Sequence, residues 1–358
     1  ADKYKGVDQR LGLLSLAGVK YITVAHNSQV AKDVSSKGDV PYGVEKLSKK
    51  GNITLYKNKY ALPFAYAYDS YMTEQQYEQL NGIGKEQAML AQIILNQHLA
   101  DKEIQHNEQR KDPDIQTISL PETRISSPKG KKYAEITVPV EKDKETYLYF
   151  KNLVYHGKKN GDDNFILTGR KGTKGILVTQ NDVQQKIHIQ STFNPYYFGR
   201  KDYIVKINHQ TSKAKEKVRL NFLSPGEYEF DDISLITVPK KDVLARLKKR
   251  KENSMKQIQY EGNHFRGVYH AKKDQILCVT IPYSKGWKAT VNGNRTKIYK
   301  ANGMFMGIIM KKGTQSVKLD YETPGLKIGA WISLVAWIGL GIYGLYFEKY
   351  RKKLLNQR

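Results

Sequence analysis

Two pairs of adjacent carboxylates, Asp162-Asp163 and Asp231-Asp232, are the side chains best suited by type to acid and base chemistry. Their spacing argues against a shared task. Neighbours on a strand point to opposite faces, and Asp162-Asp163 stands in a Gly-Asp-Asp-Asn run that favours a turn. The eight histidines show no pair spaced like the two ligands of H-E-x-x-H. Gly82-Ile83-Gly84-Lys85 lacks the spacing and the hydroxyl residue of a phosphate-binding loop, and it predicts a turn before a helix. Cys278 is the single cysteine, which excludes a disulfide framework and a multi-cysteine metal site. It lies in Ile276-Leu277-Cys278-Val279-Thr280-Ile281, a run expected to form a central strand buried on both faces, where a thiol acts as a small apolar group. These residues yield no catalytic group, no metal site and no cofactor.

One segment is better suited to recognition than to reaction. In Phe193-Asn194-Pro195-Tyr196-Tyr197-Phe198-Gly199-Arg200, aromatic rings beside polar groups could stack on a sugar. Phe193, Tyr196, Tyr197 and Arg200 are therefore the candidate carbohydrate-binding residues. The competing expectation is a hairpin loop whose rings pack onto a sheet, and Trp287 is likewise expected to pack beneath its own strands.

The elements that would position these groups are mainly β. Residues 1–63 read as a small α/β unit, with a short helix at Leu11 to Ala17 and strands at Lys20 to Val24 and Ile53 to Tyr56. Residues 64–130 read as a helical connector and linker, because Met89, Ile93, Leu95 and Leu99 recur at roughly helical spacing before Pro113, Pro121 and Pro128. Residues 131–327 alternate short β-rich runs with Gly, Asn, Asp and Pro turns, the pattern of a β-sandwich, with a basic helix inserted near 240–251 that sets Val243, Leu244 and Leu247 on one side. Asn292-Gly293 predicts a type I′ hairpin, since both residues tolerate positive φ, and Asn302-Gly303 and Lys312-Gly313 are expected to repeat it.

Residues 328–347, IGAWISLVAWIGLGIYGLYF, are 20 in a row without a charge. As a helix they span about 30 Å, the thickness of a bilayer core. Trp331 near one end and Tyr343 and Tyr346 near the other suit the two interfaces. Residues 348–358 carry five basic residues and one acid, and short basic segments stay in the cytoplasm, so the preceding residues are expected outside. The chain begins at Ala1 without Met or the zones of a signal peptide, which suggests a processed or truncated product.

The formal net charge of +25 points to polyanionic surroundings: anionic lipid, an anionic wall polymer or nucleic acid. Nucleic acid is not the expected partner, because only 12 of the 60 basic residues are the Arg that read bases bidentately.

Three stretches resemble the YfhO family of bacterial membrane proteins: Gly18-Val19-Lys20-Tyr21-Ile22; Leu55-Tyr56-Lys57-Asn58-Lys59-Tyr60-Ala61-Leu62-Pro63; and Ile281-Pro282-Tyr283-Ser284-Lys285-Gly286-Trp287-Lys288-Ala289-Thr290-Val291-Asn292-Gly293, followed by Phe305-Met306-Gly307 and the terminal helix. The resemblance implies a membrane glycosyltransferase of the GT-C arrangement, in a Gram-positive bacterium, that moves a sugar from a polyprenyl-phosphate carrier to lipoteichoic or wall teichoic acid. The catalytic acid of such enzymes lies between early membrane helices, so no catalytic residue is carried onto this chain. The expected partners are the bilayer, an upstream membrane portion of the same protein and teichoic acid. A single-pass surface protein that binds anionic wall polymers without catalysis is the alternative, and a membrane-tethered binder of nucleic acid ranks behind both.

Overall fold

The computed structural model describes residues 10–25, 42–99, 104–106, 113–118, 120, 122–157, 175–180, 183–189, 199–207 and 214–355. The chain is mainly β. Five helices carry labels here: α1 (Leu11–Leu16), α2 (Glu74–Glu78), α3 (Gly82–Ala91), α4 (Lys240–Glu252) and α5 (Leu326–Leu355).

Strict alternation builds the first sandwich. In Lys215–Phe222 every second residue from Glu216 is buried, and the strand pairs antiparallel with Lys132–Pro139 in a register that sets Lys132 opposite Phe222. Gly175–Gln180 and Val183–His188 complete that sheet. The facing sheet is ordered Tyr203–Ile207, Lys144–Lys151, Asp232–Pro239, Asp114–Ile118. Its two central strands bury six consecutive residues each, Glu145 to Phe150 and Ile233 to Val238, so both faces must be covered. Leu148, Phe150, Ile233 and Leu235 enter the sandwich core, while Tyr147, Tyr149, Ile236 and Val238 point the other way, into a second core made with the helices.

A second sandwich follows α4. One sheet is ordered Lys256–Glu261, His264–Ala271, Gly313–Tyr321, Trp287–Val291, Asn294–Thr296. Opposite it is a sheet ordered Ala65–Tyr68, Gln275–Val279, Phe305–Met310, Tyr299–Ala301, Ile93–Leu95, Ser70–Thr73, Gln105–His106. Leu277, Val279, Met306 and Ile308 pack between the sheets against Phe265, Val317 and Leu319. The outer face, with Tyr66, Tyr68, Ile276 and Cys278, lies under Leu11 of α1, Ile83 and Leu90 of α3, and Val243 and Leu247 of α4. Burial on both faces pushes the Cys278 thiol up to about 12, as an apolar setting should.

Several expectations change. In place of one sandwich over residues 131–327 with an inserted helix, two sandwiches flank a helical layer, and α4 joins them. The helical spacing through Leu99 breaks at Ala91: Ile93–Leu95 is a strand parallel to Ser70–Thr73, and Ala65–Tyr68 pairs with Gln275–Val279 from the far end of the chain. Tertiary pairing overrides a local pattern that short apolar runs leave ambiguous. Gly82 begins α3 and does not precede it. The Asn81 side chain accepts a hydrogen bond from the Gly84 amide at 2.8 Å, and a Cβ at Gly82 would stand 2.6 Å from the Ile204 side chain. Asn292-Gly293 and Asn302-Gly303 have the paired positive φ of type I′ turns, but at Lys312-Gly313 only the glycine does.

Charge is buried at the seam between the first sandwich and the helices. Arg10 meets the fully buried Glu86 of α3 at 3.2 Å. A side chain at Gly12 would collide with the Glu86 carboxylate, its Cβ falling 2.3 Å from an oxygen, so glycine is what lets α1 approach α3. Glu145 receives Lys206 at 3.0 Å and the Tyr42 hydroxyl at 3.2 Å. Burial pushes the Glu86 carboxyl up to about 7 against the pull of Arg10. At the outer face of the second sandwich, buried Arg250 donates to the Ala67 carbonyl of an edge strand and lies over the Tyr68 ring, 4.4 Å from its centre.

Two consequences can be measured. Below pH 4.5 Glu86 is protonated whether folded or unfolded; between 4.5 and about 7 only the folded chain keeps the proton, so stability falls as pH rises and stays low above. In Glu86→Gln this component of the decline, on the order of 3 kcal/mol, should vanish from a comparison of denaturant unfolding across that range. Arg250→Lys should lower unfolding stability by about 2 kcal/mol, because a compact ammonium cannot spread over a ring while reaching the strand carbonyl.

Candidate functional site

The last strand, Gly313–Tyr321, hands over to α5 through Glu322, Thr323, Pro324 and Gly325. Pro324 cannot continue the ladder and Gly325 takes φ +81°, so the chain turns sharply out of the sheet. The turn is pinned from the side. The Glu322 amide donates to the Gly286 carbonyl at 3.0 Å, and a Cβ on Gly286 would fall 2.4 Å from the Glu322 carbonyl and 3.1 Å from the Pro324 ring. Glu322 also holds two lysines at once, Lys327 of α5 at 2.7 Å and Lys288 of the adjacent strand at 2.9 Å. Hydrogen bonds from these two ammonium groups hold its carboxyl well below the usual range. Within Leu326–Lys352 an 18-residue window has a mean hydropathy of 1.8, and none of that window is buried against the rest of the chain. By length and composition α5 can cross a membrane.

Beside this handover lies a pocket of about 190 Å³. Its walls come from the loop Tyr283-Ser284-Lys285, the strand that begins at Trp287, and the hairpin that carries Arg295, Thr296 and Ile298. The half-buried Trp287 ring packs against Tyr321, centres 5.0 Å apart, and still lines the cavity, which extends the expectation that it only packs under its strands. No carboxylate lines the pocket, whereas Lys285, Lys288 and Arg295 all do. Lys288 is neutralised by Glu322. Lys285 and Arg295 are exposed and have no acidic partner among the described residues. The nearby Asp320 is already paired, with His264 at 2.6 Å and Lys318 at 3.1 Å. The arrangement can hold an anion with two free cations and hydroxyl donors; it contains no acid or base pair for bond making.

Of the carbohydrate candidates, Phe193, Tyr196 and Tyr197 lie outside the described residues. Arg200 is exposed; its Nε donates to the Asp202 carbonyl at 3.0 Å and its guanidinium covers the Tyr203 ring at 4.8 Å. Asp162-Asp163 also lies outside the described residues. Asp231 and Asp232 face different partners, as adjacent strand residues should: Asp231 accepts from the Asn152 amide group at 3.2 Å, and Asp232 accepts from the Ser234 hydroxyl at 2.7 Å. They form no shared acid pair. Among the described residues no cluster of three or more His, Cys, Asp or Glu could hold a metal ion. Reading the residues by type missed Lys285 and Arg295, whose signal was their place on either side of Trp287 and the Asn292-Gly293 turn, which brings them to one cavity.

Comparison with known proteins agrees with the membrane-bound layout. Residues 1–333 match the family described as bacterial membrane protein YfhO. A relative in Bacillus subtilis (strain 168), described as an uncharacterized protein YfhO, is 27% identical over 349 residues, covering 93% of this chain and 36% of that protein. The chain thus spans little more than a third of the length of this relative. Two cryo-EM structures of the mycobacterial arabinofuranosyltransferase AftD overlap it partially. A mutant form covers 55% of this chain and 14% of AftD at 13% identity and a TM-score of 0.20. Another AftD structure covers 48% and 12% at 11% identity and a TM-score of 0.19. Overlaps this small carry no inference about fold or activity. The match over residues 1–333 does: this chain belongs to the YfhO family of bacterial membrane proteins.

Proposed function

We propose that this chain is the extracytoplasmic accessory region of a membrane glycosyltransferase that decorates lipoteichoic or wall teichoic acid with sugar from a polyprenyl-phosphate donor. The chemistry belongs to a membrane portion of the same protein. The observation that carries the reading is the handover into α5, where Glu322 and Pro324 tie the second sandwich to the membrane helix and so hold a strongly basic surface next to the bilayer. The net charge of +25 suits an acidic polymer acceptor, met mostly by Lys acting as point charges. The boundaries proposed from sequence for the terminal segments, 328–347 as the span and 348–358 as a cytoplasmic tail, support a reading in which both sandwiches lie outside the cell. The same charge also suits a single-pass, non-enzymatic binder of such polymers.

Protease added to intact protoplasts that carry the full-length protein should cleave within residues 131–323 and spare the tail from Lys349 onward; the opposite pattern reverses the orientation. Purified teichoic acid should bind the chain with an affinity that falls steeply between 0.1 M and 1 M salt, where the Debye length shrinks from about 10 Å to about 3 Å. Salt-independent binding that is sensitive to Tyr196→Ala or Tyr197→Ala would replace charge with ring stacking as its basis.

A further inference from the structure

The pocket beside α5 differs from the rest of the basic surface in three respects. Two of its three cations are unspent: the nearby carboxylates Asp320 and Glu322 are paired, with His264 and Lys318 and with Lys288 and Lys327 respectively, while Lys285 and Arg295 line the cavity without an acidic partner among the described residues. Its other lining groups combine hydroxyl donors, Tyr283 and Ser284, with apolar surface from Trp287 and Ile298. And it sits at the water boundary of the membrane helix, since the carboxylate that holds Lys288 in its wall also holds Lys327, one residue before the uncharged run begins.

We propose that this pocket binds the phosphate of a membrane lipid, with Arg295 and Lys285 on the oxygens and the acyl chains descending along α5. A guanidinium presents paired N–H groups that match a phosphate bidentately, and an ammonium adds a point charge from the other wall. A cavity of about 190 Å³ takes a headgroup, whereas a long polymer is met by the dispersed lysines of the outer surface. Lipid is favoured over a soluble phosphate by what adjoins the pocket. The Tyr283 amide donates to the Met304 carbonyl at 2.7 Å, and both side chains are exposed, which sets apolar groups at the rim. Leu326, Ile328, Trp331 and Ile332 of α5 are exposed just beyond it and would meet the chains. The inference extends the proposed function by naming a lipid partner, but it rests on binding and not on sugar transfer.

The test uses the whole chain in detergent micelles, with native mass spectrometry of retained lipid. Phosphatidic acid should be retained in preference to phosphatidylcholine, whose choline masks the phosphate charge. Lys285→Gln with Arg295→Gln should weaken retention at least tenfold, since each removes a charge-assisted contact. Lys129→Gln with Lys217→Gln, the same change of charge on exposed residues of the first sandwich, should change it less than twofold. Both pocket residues are exposed, so unfolding temperatures should match wild type and exclude misfolding as the cause. Equal loss in the two double variants, or none in the pocket variant, overturns the site. Competition by water-soluble glycerol 3-phosphate as effective as by phosphatidic acid overturns the lipid source. A chain that holds phosphatidic acid but no teichoic acid keeps this site and loses the acceptor reading, and the reverse result does the opposite.

Discussion

The central strands Lys144–Lys151 and Asp232–Pro239 bury both faces, and so does Gln275–Val279 in the second sandwich. A sheet face that is apolar must be covered, and here each covering is the other's neighbour. The outer faces of the two sandwiches look toward one helical layer, so α1, α3 and α4 are packed from both sides in a single core. The order of the rest follows from that requirement. Residues 65–95 can serve as strands of the second sandwich and as helix α3 of the middle layer only because the chain crosses between the layers early, and α4 crosses back as the first sandwich ends.

Closing a core from two sides traps polar groups that a surface helix would leave in water. Glu86, Glu145 and Arg250 are each at most 2% exposed. Each is met by a specific group: Arg10 for Glu86, Lys206 and Tyr42 for Glu145, and a strand carbonyl with a tyrosine face for Arg250. A buried ion pair offsets its own desolvation only in part, which is why the Glu86 carboxyl remains raised despite Arg10. A slip of α3 against α1 would leave the Glu86 carboxylate unpaired and drive it into the space that Gly12 keeps open.

The same economy of charge explains the membrane end. Acids are fewer than bases on this chain, and among the described residues near the start of α5 both Asp320 and Glu322 are paired. Glu322 bridges sheet and helix, and Lys285 and Arg295 line the pocket beside that junction.

Much was legible in the residues alone, where a local rule has few competitors. Uncharged length determined α5, alternation determined Lys215–Phe222, and Asn-Gly chemistry determined two hairpins, because each depends on neighbours within a few positions. The run around Cys278 announced a strand buried on both faces for the same reason. The motif from Ile281 to Gly293 announced the family but not the pocket. That cavity lies between the hairpin carrying Arg295 and the Tyr283-Ser284-Lys285 loop, and Glu322 neutralises Lys288 in its wall. Nor could spacing show that Ile93–Leu95 is a strand, since its partners are set by Ser70–Thr73 and by Ala301, more than 200 residues further along. Local pattern decides which elements can form; which faces they bury, and which charges stay unpaired, is decided only when distant segments compete for the same partners.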